Sequence, residues 1–521
     1  MSYPYIDRKV ADGFFRELIE QRLAYRVLNI YGKEGMGKSR FIEYLKERYL
    51  KESKKFIYIE INFEDRLLHK PQKAILHLAK ELEKKYDFNF LSLWKAYALL
   101  WKKRYDNSPI MYAADLPYYS EIKKLFKIDK EGNASVDIAK GLLGESLFNE
   151  LEALKLLDSQ AIEDRLYKFF AADLRELIKN SKYSDCIFIF ENVELLKEHS
   201  NKTPCAKDAW IRDLITNIGK DALFILTSKE ALNWQNCNSA WKSVIKSIKL
   251  DKFGEKDALR YLTQAGIKSQ ELKDAILISS GAEPFWLSLA ALSFNKDYKL
   301  PTTKKDIFKT FLETIDSKTL KLLKIFSHAR FFTKDMIKAA SKHFDLGIDK
   351  HIINKLFNYP FIKELSKEKY SIDNLLKQEL LRVESEDEAI EHKVFLFTYY
   401  ENILQSLDQE LIKNTPELID VALEEAWYHL QLINSEPLIH FEWLDYYIDR
   451  FYMYAAWELF VDRYNKLLPK LKNSKDKVYL SKLASLYNNL AGLYESLGEA
   501  KLAKEYYSKV IKLNRPKLLS A

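Results

Sequence analysis

Glycine is scarce in this chain, 14 of 521 residues, yet three of those 14 fall within the six positions 32 to 37. Cysteine is scarcer still. Cys186, Cys205 and Cys237 have no metal-ligand spacing and are too few for a disulfide framework, so they are expected as reduced thiols. No stretch approaches the uninterrupted apolar run that spans a bilayer, and Met1-Ser2-Tyr3-Pro4-Tyr5 carries no signal-peptide pattern. The expectation is a cytoplasmic chain with no membrane partner. Charge of one sign is also lacking: 83 basic residues are interspersed with 75 acidic ones, a net +8. A solvated charged surface explains that excess, and a nucleic-acid partner is not favoured. What is abundant is apolar and aromatic, 47% and 14%, a globular composition long enough for several cores.

The glycine cluster belongs to Gly32-Lys33-Glu34-Gly35-Met36-Gly37-Lys38-Ser39, which fits G-x-x-x-x-G-K-[ST], the phosphate-binding loop of nucleoside triphosphatases. Its context agrees. Residues 26–31 read as a short buried strand, and Phe41, Ile42, Tyr44, Leu45 and Tyr49 share one helical face behind the loop. Glycines let successive backbone N–H groups turn inward, and the helix N-terminus adds partial positive charge, so the loop favours phosphate. Lys38 is expected on the β/γ oxygens and Ser39 on Mg²⁺.

A second strand is expected at 56–63, and a mostly helical stretch at about 87–180. Cys186-Ile187-Phe188-Ile189-Phe190 reads as a buried strand that delivers Glu191 beside the phosphates, where it can hold Mg²⁺ through water; Asp is the usual residue there. Residues 222–226 form a further strand, ending in Thr227-Ser228-Lys229, which face the γ-phosphate in such sheets. The expected fold is an α/β phosphate-loop domain over 1–250, a parallel sheet with helices on both faces and a helical insertion at 87–180. Helices follow: a helical lid over 251–316, a winged helix over 317–385, and tetratricopeptide-like helices over 386–521. Tyr487, Leu490, Ala491, Tyr494, Ala503 and Tyr507 carry the repeat spacing, with Gly498 in the turn and Pro516 closing the unit.

With these residues in place the chain resembles the STAND class of signal-transducing NTPases. In that class a hydrophobic-hydrophobic-Gly-Arg motif embraces adenine; Tyr5-Ile6-Asp7-Arg8 stands at its place, with Asp7 for the glycine. The resemblance implies nucleotide contacts from Asp7, Arg8, the loop residues Gly32, Lys33, Glu34, Gly35, Met36, Gly37, Lys38 and Ser39, the adjoining Arg40, and Pro284 against the base. Catalytic roles are implied for Lys38, Glu191, Glu194 (polarising water) and Lys229, which replaces an arginine. Gly281-Ala282-Glu283-Pro284 has one residue more than the family's Gly-x-Pro turn. The family's Met-His-Asp stretch falls at Ile372-Asp373-Asn374, without the histidine. ATP or ADP with Mg²⁺ is the implied cofactor, and the implied activity is a switch with slow hydrolysis. Protein partners at the repeats and a nucleotide-dependent homo-oligomer are also implied. Two alternatives are a DNA-acting ATPase using the winged helix and a nucleotide-binding scaffold without turnover, the latter suggested by Glu191, Asn192 and Lys229.

Overall fold

The computed structural model describes the chain except residues 1–4, 7, 21–24, 52, 54, 106–144, 197–207, 295–298, 367, 409–415, 453–456, 473–476 and 519–521. The expectation for Asp7 therefore lies outside the described residues. Five strands, β1 (Val27–Tyr31), β2 (Phe56–Asn62), β3 (Asp185–Glu191), β4 (Ala222–Ser228) and β5 (Ile245–Lys249), form one parallel sheet in the order β2-β3-β4-β1-β5. The apolar runs of β3 and β4 take the centre, buried on both faces as a parallel sheet requires. Phe188 stacks on Phe224 across them, with ring centroids 4.8 Å apart.

Asn29 is the polar exception in the core. It is fully buried in β1, and its amide is satisfied on every side: Nδ2 donates to the Ser228 hydroxyl at 2.8 Å, while Oδ1 accepts from Leu232 N at 3.0 Å and Ser247 Oγ at 3.2 Å. A buried amide so paired fixes the register of β1 against β4 and β5. Against the sheet lie α1 (Lys9–Ile19) and α2 (Lys38–Leu45), whose Phe15, Phe41 and Leu45 join Leu28, Ile187 and Ile225 in one apolar cluster. A further helix, α3 (Pro71–Tyr86), begins on proline, whose missing N–H costs nothing at a first turn.

Beyond β5 come α4 (Glu255–Gln264), α5 (Gln270–Ser280), α6 (Pro284–Ser293) and α7 (Lys304–Thr314), the last started by a Thr303/Asp306 capping box. Next are α8 (Ser317–Ser327), α9 (Lys334–His343) and α10 (Lys350–Phe357), capped by Asp316, Thr333 and Asp349. An antiparallel hairpin follows, β6 (Ile362–Ser366) and β7 (Lys369–Ile372), with Phe332 bridged to Tyr370, then α11 (Asn374–Val383). Three helices and a hairpin come in the order expected for a winged helix; residues 317–383 are called the hairpin module below.

The chain divides into two compact units. One holds residues 1–88 and 174–392; the other holds 89–173 with 393–521. The helical stretch read from sequence as an insertion in the sheet domain thus groups, over 89–173, with the C-terminal helices. Within that second unit the Asp173 carboxylate caps the helix Leu91–Tyr105, accepting from Ser92 N at 3.3 Å and Leu93 N at 3.0 Å. Its last two helices, Lys477–Ser496 and Ala500–Leu518, turn at Gly498 with φ of 76°. Position 516 lies inside the second of them, so the helix continues where the sequence suggested a stop. Cys186 is a buried free thiol, but Cys237 is disulfide-bonded, which corrects the expectation of reduced thiols throughout. No helix among the described residues is long and apolar enough to cross a membrane.

Because Phe188 is wholly enclosed and stacked, Phe188→Ala should lower the stability of the sheet unit by about 3–5 kcal/mol. Hydrogen exchange of the β3 and β4 amides would read that loss directly, and unchanged protection would contradict the packing described.

Candidate nucleotide site

A parallel sheet brings the carboxyl ends of its strands to one edge, and here that edge assembles residues far apart in sequence. β1 ends in the Gly32–Ser39 loop, which is locked to the sheet by Gly32 N donating to Ser228 O at 3.1 Å. Position 32 has no room for a side chain: a Cβ there would stand 2.3 Å from the Leu250 carbonyl oxygen. Gly35 and Gly37 have φ of 77° and 84°, the left-handed region that glycine enters at least cost, and Gly37 caps α2. Lys38 is buried, and its ammonium donates back to the Gly32 carbonyl at 2.5 Å and the Lys33 carbonyl at 3.1 Å. Burial holds its pKa below the usual lysine value, with Glu194 and Glu34 opposing that shift.

Glu191 ends β3, as expected. The Ser39 hydroxyl interacts with its carboxylate, of which one oxygen, Oε2, is buried without a hydrogen-bond partner. Desolvation pushes the Glu191 carboxyl up, against Lys363 and the Ser39 bond, which pull it down. Glu194 follows the same pattern: Oε2 is buried and unpartnered, and burial raises the pKa against its own backbone hydrogen bond, Lys38 and Lys229. A serine hydroxyl touching a carboxylate with a spare buried oxygen is a hard oxygen donor set, which fits Mg²⁺.

Thr227 and Ser228 do not reach into the site. Thr227 Oγ1 accepts from Asn192 N at 3.0 Å, and Ser228 Oγ donates to the Glu230 carbonyl at 2.6 Å, so both hydroxyls are spent on loop structure. Lys229 does line the cavity and pairs with Glu34 of the loop at 2.9 Å. Arg8 is anchored by donation to Met36 O and Asp251 O, each at 2.9 Å, and its guanidinium lies over the Phe253 ring at 4.2 Å.

These groups border a cavity of about 1150 Å³. From the loop, Glu34, Gly35, Gly37, Lys38, Ser39 and Arg40 line it; Gly32, Lys33 and Met36 do not. Pro284 and Phe285 close one side, and Phe285 N donates to the Gly35 carbonyl at 3.0 Å. The preceding turn holds Gly281 and Ala282 at φ of 63° and 60°.

The remaining wall comes from the hairpin module: Tyr359, Phe361, Lys363 and Asp373 line the same cavity as the loop. A Cβ on Gly35 would meet Leu375 Cδ1 at 2.5 Å, so α11 packs directly on the phosphate loop. Lys363 Nζ pairs with Asp373 at 3.4 Å; burial opposes its charge, but Asp373, Glu64 and Glu191 outweigh that and raise its pKa. Lys369 donates to Asp65 at 2.9 Å and Ser371 to Glu64 Oε2 at 3.0 Å. Glu64 Oε1 in turn accepts from the Asn192 amide at 3.2 Å, beside Glu191. Asn192 can turn this way because its φ is 60°, a conformation asparagine tolerates better than most residues.

Sequence reasoning missed Lys363, Glu64 and Asp65, because nothing local marks them; their partners are supplied by folding. It also missed Lys46, held between Glu43 at 2.5 Å and Glu60 at 2.7 Å where α2 passes into a π-helical turn. π-turns often accompany functional sites, but the turn is a property of the fold that no local pattern in the sequence marks.

The tetratricopeptide repeat family matches residues 484–517. No curated protein matches the sequence. Among solved structures, the chain is similar to a Signal Transduction ATPase with Numerous Domains (STAND) protein with a tetratricopeptide repeat sensor from Pyrococcus horikoshii. The identity is 13% and the TM-score 0.41, over 99% of this chain and 78% of that one. It is also similar to a Walker-type ATPase of Pyrococcus abyssi (14%, TM-score 0.31, 73% and 96% of the two chains). A third similar structure is the Orc1 protein of Aeropyrum pernix in complex with DNA (13%, TM-score 0.32, 73% and 92%). Fold and repeat match together describe a parallel-sheet phosphate-loop domain followed by helical modules that end in a tetratricopeptide repeat.

Proposed function

We propose that this chain is an ATP/ADP-binding molecular switch of the STAND type, in which a winged helix, residues 317–383, closes on the nucleotide. One observation carries the reading: the phosphate loop, the Pro284-Phe285 turn and the hairpin module line a single cavity. Loop amides and Lys38 take the phosphates, Arg8 and Pro284 border the base, and Glu194 polarises a water for slow hydrolysis. Ser39 and Glu191 would hold Mg²⁺, which neutralises charge on the β/γ oxygens. Lys363 brings to the phosphates the cation that the residues at 372–374 do not supply.

A switch requires the two nucleotides to bind its two forms with different affinity. Moving from nearly all closed to nearly all open takes about 5.5 kcal/mol of differential affinity. The ties from Lys369 to Asp65 and from Ser371 to Glu64 are partly exposed and together contribute about 1–3 kcal/mol to closure. A nucleotide that favours the open form can therefore release them, helped by subunit contacts in a nucleotide-dependent homo-oligomer. The tetratricopeptide helices would receive a protein trigger, and the setting is cytoplasmic. Support for a DNA-acting ATPase is weaker, since Lys355 on α10 is already held by Asp316 at 3.0 Å and Phe357 and Asn358 face the cavity.

Denaturing the purified protein and chromatographing what it releases should yield about one equivalent of ADP from the wild type and none from Lys38→Ala. If no nucleotide is released, and neither Mg²⁺-ATP nor ADP shifts Tm, the switch reading is wrong. Lys363→Met should weaken ADP binding about tenfold, the loss of one partly desolvated charge contact. Calorimetric titration with ADP measures this, and an unchanged Kd would remove the hairpin module from the nucleotide site.

A further inference from the structure

Away from the nucleotide cavity, three titratable side chains that the proposed switch does not use converge in the core. His328 caps the end of α8, Glu384 follows α11, and His392 stands near the start of the helix Glu386–Ser406. The His328 Nε2 and His392 Nδ1 atoms each lie 2.6 Å from a separate oxygen of Glu384. Their side chains are 5%, 0% and 1% exposed in that order. All three donor atoms lie within 4.8 Å of one another.

We propose that His328, Glu384 and His392 form a binding site for a first-row divalent cation, zinc by the chemistry of the donors. Two imidazoles and one carboxylate are a ligand set that zinc takes in proteins, with a fourth position left for water or the second carboxylate oxygen. Zinc–ligand distances of about 2.0–2.2 Å place tetrahedral ligand atoms about 3.4 Å apart. The observed spacing brackets that value, so small side-chain rotations suffice.

Charge argues in the same direction. A carboxylate buried between two imidazoles is costly unless its charge is balanced. Lys321 and Lys324 of α8 pair with other carboxylates, Lys324 with Glu388 at 3.0 Å, and Lys321 with Glu391 at 3.6 Å and Glu388 at 3.9 Å, while Lys377 donates to the Ala329 carbonyl at 2.8 Å. A divalent cation among the three side chains would counter the negative charge of the buried carboxylate. The Phe344 ring, edge-on to His392 at 5.5 Å, supplies the apolar wall that keeps competing water out. The cation would staple the end of α11 and the next helix to α8.

The test uses the full chain, stripped with a chelator and titrated with Zn²⁺ while Tm and bound metal are followed, with Co²⁺ as a coloured probe. Wild type should take up one equivalent, gain roughly 5 °C in Tm at a hundredfold excess over Kd, and give visible Co²⁺ bands. Lys38→Ala should behave as wild type, which separates this site from the phosphate loop. Glu384→Gln, close in shape, and His392→Asn should each bind at least tenfold more weakly. If His392→Asn does not fold, Glu384→Gln decides. Absence of uptake by wild type, equal uptake by Glu384→Gln, or loss of uptake in Lys38→Ala would each overturn the assignment. A Glu384→Gln protein that is destabilised while wild type ignores Zn²⁺ would leave a hydrogen-bonded triad in its place.

Discussion

Glu64 accepts hydrogen bonds from two directions. The Asn192 amide approaches from the end of β3, and the Ser371 hydroxyl approaches from β7. Asn192 is itself fixed by Thr227 at the end of β4 and by Asn62 at the end of β2. A continuous polar chain therefore runs from the strand ends that carry the acid to the hairpin that walls the cavity. That chain helps to hold the hairpin module, and with it Lys363 and Asp373, at the site, beside the Lys369–Asp65 pair and the packing of Leu375 on Gly35. Two-state behaviour of this contact, with nucleotide biasing the states, is the physical content of the proposed switch.

The phosphate loop imposes the complementary constraint through space. Gly32 is pressed against Leu250, and Gly35 is pressed against both Leu375 and Phe285. Three segments, each more than two hundred residues further along the chain, thus meet on a loop that tolerates no side chain at those positions. At positions 32 and 35 glycine stands where the backbone must approach a carbonyl or an apolar neighbour.

Much of this was legible locally. The loop announces itself by spacing, β3 and β4 by unbroken apolar runs, and the helical character beyond residue 250 by periodicity. β5 was not legible: Ile245-Lys246-Ser247-Ile248 at a sheet edge mixes polar and apolar positions without clean alternation. Thr227 and Ser228 were read as facing the phosphate because they end a strand, but the nearby backbone and Asn29 claim their hydroxyls first. Lys363, Glu64, His328 and His392 look like ordinary surface or helix residues in sequence. Their meaning comes from partners that only the fold supplies, and no periodicity encodes that.

The central claim is that the hairpin module moves with the nucleotide. Paired probes on the exposed positions Arg66 and Glu368, beside the Asp65–Lys369 tie, would report it as a distance. The account predicts a short, narrow distribution with ADP and a longer one with Mg²⁺ and a non-hydrolysable ATP analogue at saturation. The same short distance with both nucleotides bound would contradict it.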